Sequence, residues 1–271
     1  MQPGLSEPDP QDMGCAGRKD GHVQSVVRAL RLLESLNRRN VSSVAQLHKE
    51  TSLPKPTIVR MLKTLVAEGY ISSDHRQSGY SVTARVNSLS CGYHDDPMVV
   101  EMAKPWAIAL TRKFGWPTGV GLLDQNAVVI RFSTIPDSTI SPFHSSLNLR
   151  MGLISRALGL AYFAFCSNSE QKLLLKQLDE ADKTLLGERE SGWLDRRVNI
   201  ARKNGFAHRD PGVEPRNSDT VAVPIMVRNR VAATIGLTYF RVGVSQTDLK
   251  AFATSLKKTA AEIGARIEDL A

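Results

Sequence analysis

Cysteine is scarce in this chain of 271 residues, which carries three, Cys15, Cys91 and Cys166. The number is odd and no pair has the C-x-x-C spacing, so the sequence offers no disulfide framework. We therefore expect a protein of a reducing cytoplasm. Cys166 follows the apolar run Ala161 to Phe165 and is expected to fill part of a core.

Long apolar runs are also missing, although 42% of the residues are hydrophobic. No run reaches the roughly 18 residues of a membrane span, so no membrane partner is expected. Residues 1–21 mix Pro, Gly, Asp and Gln without an apolar segment, which argues against a signal peptide and predicts a disordered tail. The length suits one large domain or two ordinary ones.

Motifs for catalysis and metal binding are absent as well. The six histidines show no metal-ligand spacing with cysteine or acidic residues, and no G-x-S-x-G elbow occurs. His208-Arg209-Asp210 resembles the start of a kinase catalytic loop, but Pro215 stands where the metal-binding asparagine belongs. We expect no catalytic residues, no cofactor and no metal.

Helical periodicity dominates the region that follows the tail. A first helix is predicted from about Ser25 to Asn37, and its buried face would carry Val26, Ala29, Leu30, Leu33 and Leu36. A short second helix follows a capping serine, Ser42 or Ser43, and ends before Pro54. A third helix begins at Lys55, with an apolar stripe at Ile58, Met61, Leu62, Leu65 and Val66.

Two short strands complete this module. Gly69 ends the third helix, and the strands Tyr70–Ser73 and Tyr80–Val82 are joined by a polar loop. Many surface helices are amphipathic, but this order of elements indicates a winged helix-turn-helix over residues 22–90, with the helix-turn-helix at about 43–62 and the wing at 70–82. The same segment has ten basic and four acidic residues, which favours double-stranded DNA as the partner.

The DNA contacts are predicted from the exposed side of the third helix and from the wing. Lys55 and Arg60 are candidates for guanine contacts, because cationic donors serve the O6 and N7 acceptors. His75 and Arg76 lie at the wing tip, where they would meet phosphate. The full predicted set is Ser43, Lys55, Thr57, Arg60, Lys63, Thr64, His75 and Arg76.

The pattern changes in the rest of the chain. Helical spacing of Val99, Ala103, Trp106, Leu110 and Phe114 predicts a linker helix within residues 91–115. Two hairpins follow, separated by three helical patterns, and a last helix carries Leu249, Phe252, Leu256, Ala260, Ile263 and Ile267. The predicted segments are 118–123 with 127–132, 220–227 with 231–240, and helices at 157–166, 169–178 and 194–204. Residues 116–271 therefore predict an α+β domain around an antiparallel sheet.

Five segments carry a resemblance to a known family: Arg28–Leu33, Leu53–Leu62, Glu68–Ile71, Leu158–Ala161 and Ala222–Ile225. With them the chain resembles the IclR family of bacterial transcriptional regulators, from about His22 to Ala271. The resemblance implies a winged helix joined by a linker helix to a GAF-like effector-binding and oligomerisation domain, which takes a small organic acid. Phe114–Thr118 and Ala161–Cys166 look most like regulators of aromatic-acid catabolism.

Two departures from the family pattern bear on the sites. Pro56 stands where the family often has serine, which loses one hydroxyl contact but is tolerated in a first helical turn. Many members have a Pro-Leu/Met-His segment before the effector-domain helix, and here Met151–Arg156 contains no histidine. Carried over from the family, the ligand pocket comprises Leu149, Met151, Leu153, Ser155, Asp210, Thr220 and Thr238.

Each pocket residue has an alternative structural role. Met151 and Leu153 would cover a ring or chain of the ligand, yet such residues are more often core. Thr220 and Thr238 would fix a carboxylate, or lie on the solvent face of strands.

The charged residues of the predicted pocket leave further alternatives. Asp210 would repel a carboxylate unless it pairs with Arg209, caps backbone amides or meets a ligand hydroxyl. Arg156 either pairs with the ligand or is a solvated surface arginine.

The indicated function is a ligand-responsive transcriptional regulator of a catabolic operon, cytoplasmic and associated with the nucleoid. Expected partners are a double-stranded DNA operator, a small organic acid effector, further copies of the chain in a homodimer or homotetramer, and RNA polymerase as an additional candidate. A ligand alters DNA binding only if it favours one arrangement of paired recognition helices. Two alternatives stay open: a DNA-binding protein whose C-terminal domain serves oligomerisation only, and a small-molecule enzyme with a fused DNA-binding domain.

Overall fold

The computed structural model describes residues 23–74, 79–90, 97–142 and 145–270. These residues form two compact units. The first contains the described residues up to Asn37 and from Val41 to Thr83, and the second contains residues 38–40 and those from Ala84 onward. The tail predicted for residues 1–21 lies outside the described residues. None of the described helices is long and apolar enough to cross a bilayer.

The first unit is built from three helices and a two-stranded antiparallel sheet. Its elements are α1 (Gln24–Leu36), α2 (Val44–Thr51), α3 (Lys55–Ala67), β1 (Ile71–Asp74) and β2 (Gly79–Val82). Its core is made by side chains of all three helices, the α2–α3 turn and β1, namely Leu32, Leu36, Leu47, Leu53, Ile58, Leu62, Leu65 and Ile71. The order and pairing of these elements confirm the predicted winged helix-turn-helix.

Local signals set the turn between α2 and α3. Ser43 caps α2: its Oγ accepts a hydrogen bond from the Gln46 amide at 3.3 Å, and its own amide donates to Gln46 Oε1 at 2.8 Å. Ser52 follows α2 with a left-handed φ of 57°. Pro54 precedes α3 and has no amide hydrogen with which to continue a helix. The two helices are therefore separated by a short, defined turn.

The buried face of α1 differs from the prediction. Leu36 is fully buried as expected, and so is Leu32, which was not in the predicted stripe, whereas Val26 and Leu30, which were expected in the core, are each 54% exposed. The helix carries apolar residues on more than one side, and periodicity alone does not show which side meets α2. On α3, Val66 is also exposed, so the buried stripe is narrower than expected.

The second unit is an α+β domain, as predicted. In chain order it contains α4 (Met98–Phe114), β3 (Thr118–Asp124), β4 (Ala127–Ser133), β5 (Arg150–Gly152), α5 (Ala157–Phe165), α6 (Asn168–Lys176), α7 (Glu180–Gly187), α8 (Trp193–Asn204), β6 (Ala207–His208), β7 (Ser218–Val227), β8 (Arg230–Phe240) and α9 (Gln246–Leu270). Short 3-10 helices cover Ala84–Ser90 and Ile135–Asp137. The strands form one antiparallel sheet in the order β5-β4-β3-β8-β7-β6.

Helices cover both faces of this sheet. On one face α4 and α9 pack against alternate residues of β7, among them Val221, Val223 and Ile225. On the other face α5 lies close to the strands, because a Cβ atom on Gly236 would stand only 3.1 Å from Leu158 Cδ2. The strands thus contribute side chains to two cores.

The linker helix predicted within residues 91–115 corresponds to α4, and residues 91–96 lie outside the described residues. Ala103, Ala107 and Leu110 of α4 belong to the core of the second unit. Residues 84–90, which the sequence placed in the first domain, group with the second unit.

Apart from the 3-10 helices, the strands β5 and β6 and the helix α7 were not predicted among the described elements of the second unit. The strands β5 and β6 are three and two residues long, which is too short for an alternating pattern of apolar and polar residues to be recognised. The helix α7 has only eight residues. Its clearest local signal is the N-cap Asp179, whose carboxylate accepts a hydrogen bond from the Asp182 amide at 2.7 Å. β5 and β6 lie at the two edges of the sheet, and β5 carries part of the candidate site described below.

Candidate functional site

The exposed face of α3 is the candidate DNA surface. Successive residues of a helix turn by about 100°, so Arg60 and Lys63 lie on the side opposite Ile58 and Leu62. Ile58 and Leu62 are fully buried, and both cations are exposed. Lys55, the first residue of the helix, is exposed as well. This face therefore presents basic side chains where a recognition helix meets base edges and phosphates.

The other predicted DNA-contact residues differ in availability. Thr57 is half-buried, and Thr64 is exposed with its hydroxyl donating to a carbonyl of its own helix at 3.2 Å. The Ser43 hydroxyl accepts the capping bond and keeps its own hydrogen for another acceptor, such as a phosphate oxygen. His75 and Arg76 lie outside the described residues.

A cavity of about 240 Å³ lies in the second unit between the sheet and the start of α5. It is walled by strands β3, β4, β5, β7 and β8 and by the segment that joins β6 to β7. Its lining includes apolar side chains, hydroxyls and arginines: Pro117, Thr118, Gly119, Ile130, Ser133, Ile135, Ser146, Leu149, Arg150, Met151, Arg156, Ala157, Leu158, Arg209, Glu214, Pro215, Thr220, Gly236 and Thr238. Mostly apolar walls with a few polar groups are typical of small-molecule sites.

Two arginines make part of the cavity positive. Arg156 donates from Nη1 to the carbonyl of Glu214 at 2.8 Å, and burial lowers the pKa of its guanidinium. Arg209 is 3% exposed, and its Nη2 donates to the carbonyls of Pro215 and Ser218. Burial and, second, the charge of Arg156 lower the pKa of Arg209. Both guanidinium groups stay cationic at neutral pH. An anion bound near them would offset the cost of burying these charges and the repulsion between them.

Backbone donors add to this positive region. No side chain caps the N-terminus of α5, and its first residues, Ala157 and Leu158, line the cavity. The first amides of a helix have no acceptor within the helix, and they favour an anion. Arg209 Nε is also buried without a hydrogen-bond partner among the described residues.

Hydroxyl groups line the sheet side of the cavity. Thr220 and Thr238 are paired across β7 and β8, with their Oγ1 atoms 2.9 Å apart. Ser133 Oγ lies 2.8 Å from Ser146 Oγ. Each hydroxyl can donate or accept, so this wall suits a polar substituent on a ligand.

Asp219 fixes the positions of two residues of this lining without lining the cavity itself. Its Oδ1 accepts from the backbone amides of Arg209 at 3.3 Å and Thr220 at 2.7 Å. Burial favours a higher pKa for Asp219, but the hydrogen bond and charge of His208, the Thr220 amide and the charge of Arg241 lower it overall. The carboxylate is therefore ionised at neutral pH, which strengthens both backbone hydrogen bonds.

The structure brings only some of the predicted ligand residues to this cavity. Leu149, Met151, Thr220 and Thr238 line it. Leu153 is fully buried among core side chains around α5 and does not line it.

Ser155 is likewise absent from the lining. It lies beside the buried Asp182, whose pKa is raised by burial even though the Ser155 hydroxyl lowers it. It borders a separate cleft next to α7. In this turn, buried Leu153 and Ser155 serve packing and hydrogen bonding rather than the cavity.

Asp210 also lies outside the cavity lining, for a reason that the sequence did not show. It is 2% exposed, and its carboxylate pairs with Arg189 at 2.9 Å and Arg197 at 3.3 Å. The same carboxylate caps the Gly212 amide at 2.8 Å. Of the alternatives open for Asp210, capping of a backbone amide is therefore observed, whereas its ion-pair partners are Arg189 of the α7–α8 segment and Arg197 of α8 rather than the neighbouring Arg209.

Arg209 was not predicted as a lining residue, and for Arg156 a ligand contact and a solvated surface position were both left open. The available signal was the count of cations near the predicted pocket: Arg156, Arg209 and Arg150 all lie within one or two residues of positions assigned to it. Arg150 is the most exposed of the three and is held by Asp124 at 3.1 Å and by Asn126 at 2.9 Å.

Two family models match the chain. One, described as the IclR helix-turn-helix domain, covers residues 25–75. The other, described as the bacterial transcriptional regulator IclR C-terminal domain, covers residues 91–265. Together they span both units.

Individual relatives agree with these matches. The HTH-type transcriptional regulator XynR of Escherichia coli is 25% identical over 87% of this chain and 94% of its own length. The regulator TsaQ1/TsaQ2 of Comamonas testosteroni is 30% identical, but the match covers 52% of this chain and 51% of that protein.

Solved structures show the same fold. The Thermotoga maritima IclR structure has a TM-score of 0.64 at 19% identity, covering 91% of this chain and all of that one. An IclR homologue from Microbacterium hydrocarbonoxydans, solved in complex with 4-hydroxybenzoate, has a TM-score of 0.56 at 16% identity, covering 89% of this chain and 98% of that one.

Proposed function

The chain belongs to the IclR family of bacterial transcriptional regulators, as its sequence motifs predicted, and on that premise we propose that it is a ligand-responsive regulator whose effector is a small organic acid. The effector occupies the cavity of the second unit and changes the affinity of the helix-turn-helix for its operator. The observation that carries this proposal is the pair of guanidinium groups, half-buried Arg156 and buried Arg209, that line one cavity together with the N-terminus of α5, which no side chain caps.

A carboxylate satisfies the positive part of this cavity better than a neutral group. Arg209 has a fixed orientation, because its Nη2 donates hydrogen bonds to two carbonyls. The positive charge of Arg156 lowers the pKa of Arg209, so the charged form of Arg209 is destabilised by its neighbour. A bound carboxylate supplies the missing negative charge and accepts from the amides that begin α5.

The rest of the lining supports an aromatic acid. Ile130, Leu149 and Met151 offer apolar surface to a ring. The cavity of about 240 Å³ lies below the roughly 300–1,000 Å³ of pockets that take drug-sized ligands, which favours a small effector. Thr220 and Thr238 present hydroxyls to a substituent on that ring. The complex of a structural relative with 4-hydroxybenzoate supports the same chemical class, and we propose control of a catabolic operon for such an acid.

The DNA-reading half of the proposal rests on α3. Lys55 and Arg60 read base edges in the major groove, while Lys63 contacts phosphate. A homodimer or homotetramer supplies paired helices, and the effector acts by favouring one arrangement of the pair. Contact with RNA polymerase would decide whether the bound protein activates or represses.

The test begins with binding of the effector. Calorimetric titration of the full chain with a panel of small aromatic and aliphatic acids, 4-hydroxybenzoate included, should yield at least one binder. Arg209→Met should weaken that binding by about tenfold or more, because it removes a buried charge-assisted contact. Arg196→Met is the control: Arg196 lies on α8 with its side chain 55% exposed, and its ion pair is with Glu190, which does not line the cavity.

Operator footprinting with and without the best binder completes the test. The expected result is a change in the protein concentration that protects the operator. The proposal is overturned if the chain binds no acid, or if the bound acid leaves operator protection unchanged. Either result would favour a second unit that serves oligomerisation only. Conversion of the acid into a product during titration would favour an enzyme.

A further inference from the structure

Arg197 joins the two segments that carry the cavity arginines. It lies on α8, and its side chain is 14% exposed. Its Nη1 donates to the carbonyl of Ile154 at 2.9 Å, and its Nη2 donates to the carbonyl of His208 at 2.7 Å. Ile154 stands two residues before Arg156, and His208 stands directly before Arg209. One guanidinium therefore holds both segments.

The carboxylate of Asp210 completes this junction. Arg197 Nη1 lies 3.3 Å from Asp210 Oδ2, and Arg189 Nη2 lies 2.9 Å from Asp210 Oδ1. The Asp210 amide in turn donates to the carbonyl of Ser155 at 2.9 Å. The segments on either side of the cavity are thus tied by a backbone hydrogen bond and by an ion pair with Arg197.

The aromatic ring of Trp193 limits where the Arg197 side chain can lie. The Arg197 Cζ atom is 5.1 Å from the centre of that ring, on the same helix one turn earlier. A planar guanidinium can stack on a ring and still donate in a fork to several acceptors, which a lysine ammonium cannot reproduce.

From these contacts we infer that Arg197 is a positioning residue for the effector carboxylate, which sets the separation of Arg156 and Arg209 without touching the ligand. Arg197 is not among the residues that line the cavity. The inference rests on the proposed function, because it presupposes that this cavity binds an acid and assigns to Arg197 a part in that selectivity. Loss of Arg197 lets the two arginine-bearing segments shift, and a carboxylate held between them loses its fitted geometry.

The experiment compares an acid with its neutral isostere. Ligand-detected nuclear magnetic resonance titrations, which reach millimolar affinities, measure 4-hydroxybenzoate and 4-hydroxybenzamide binding to the full-length chain. The variants are Arg197→Met, Arg197→Lys and Arg196→Met. Arg196 is the matched control, because it is the next residue of α8, is 55% exposed and pairs with Glu190 outside the cavity. Thermal unfolding of each variant establishes that it is folded.

The inference predicts a selective loss. Arg197→Met should weaken acid binding by about tenfold while amide binding stays within about twofold, since only the acid uses the charged contacts. Arg197→Lys should recover part of the acid affinity, and Arg196→Met should leave both affinities unchanged. If Arg197→Met does not fold, Arg197→Lys must still lose affinity for the acid and not for the amide.

Two other outcomes separate this inference from the proposed function. If the natural chain prefers the acid but the Arg197 variants weaken both probes alike, or neither, Arg197 has a general structural role and the inference is overturned while the proposed function stands. If the natural chain does not prefer the acid to the amide, acid recognition at this cavity is itself wrong, and the inference is overturned with it.

Discussion

The hydroxyl oxygens of Thr220 and Thr238 lie 2.9 Å apart across the β7–β8 ladder. Both residues are half-buried and line the cavity. Each hydroxyl has one hydrogen and two lone pairs, so the pair retains capacity for a ligand after bonding to each other. A polar group of the effector can therefore bind on this wall.

Replacement of Thr238 by valine tests that wall. Valine keeps the branched shape and removes the hydroxyl, so effector affinity should fall by about 3- to 10-fold, the worth of one hydrogen bond. Thr238→Ser should restore it. Calorimetry on both variants measures the effect, and an unchanged affinity in Thr238→Val would remove Thr238 from the site.

Base reading by Arg60 is tested on a set of operators that differ by single base pairs. Arg60→Ala should lose about 1–3 kcal/mol of discrimination at one position of the operator. Lys63→Ala, the control on the same exposed face, should weaken all operators alike. Equal weakening by both variants would assign Arg60 to phosphate.

The buried thiol of Cys166 should be unreactive in the folded protein. Burial raises the pKa of Cys166 to about 12, so the nucleophilic thiolate is almost absent at pH 8. Iodoacetamide at that pH should modify Cys166 only after the chain is unfolded in urea, as read by mass spectrometry. Rapid native modification would contradict the burial.

The same thiol has a consequence for stability at high pH. Because the folded-state pKa is raised, the unfolded chain loses its thiol proton first, so the free energy of unfolding should decline as the pH rises through and above about 9. Cys166→Ala should show a smaller decline than the natural chain between pH 9 and pH 10.5 in urea titrations. Equal declines would show that other groups cause the whole effect.

Thr111 of α4 forms a buried hydroxyl cluster with the strands beneath it. Its Oγ1 lies 2.6 Å from Thr134 Oγ1 and 3.2 Å from Thr118 Oγ1, and Thr118 lines the cavity. Thr111→Val should lower the free energy of unfolding by about 1–3 kcal/mol, because it leaves buried hydroxyls with fewer partners. Thr111→Ser should lose much less. Denaturant titration compares the two, and equal losses would point to packing instead.

The winged helix-turn-helix could be predicted because its signals are local. Ser43, Pro54 and Gly69 mark ends of helices through short-range hydrogen bonding and backbone geometry, and these were read correctly. The buried face of α1 was predicted only in part, since Leu36 forms a helical stripe with Val26 and Leu30 as well as with Leu32. Only packing against α2 decides between the two stripes.

The effector cavity depends on contacts between distant parts of the chain. Thr220 and Thr238 were found because the family pattern placed them there. The same family pattern assigned Asp210 to the pocket, but its carboxylate pairs instead with Arg189 and Arg197, which stand 21 and 13 residues away in sequence. No local pattern links a carboxylate to arginines at those spacings, so the buried ion pairs appear only in the folded chain.

Thermodynamic linkage gives the most direct test of ligand-responsive DNA binding. The operator dissociation constant is measured with and without saturating effector, and the effector dissociation constant with and without saturating operator, on the same full-length protein. We expect the same ratio in both experiments, because coupling between two sites is reciprocal, and we expect that ratio to be roughly 5–150. If both ligands bind but neither changes the dissociation constant of the other, so that the ratio is one, ligand-responsive DNA binding is contradicted.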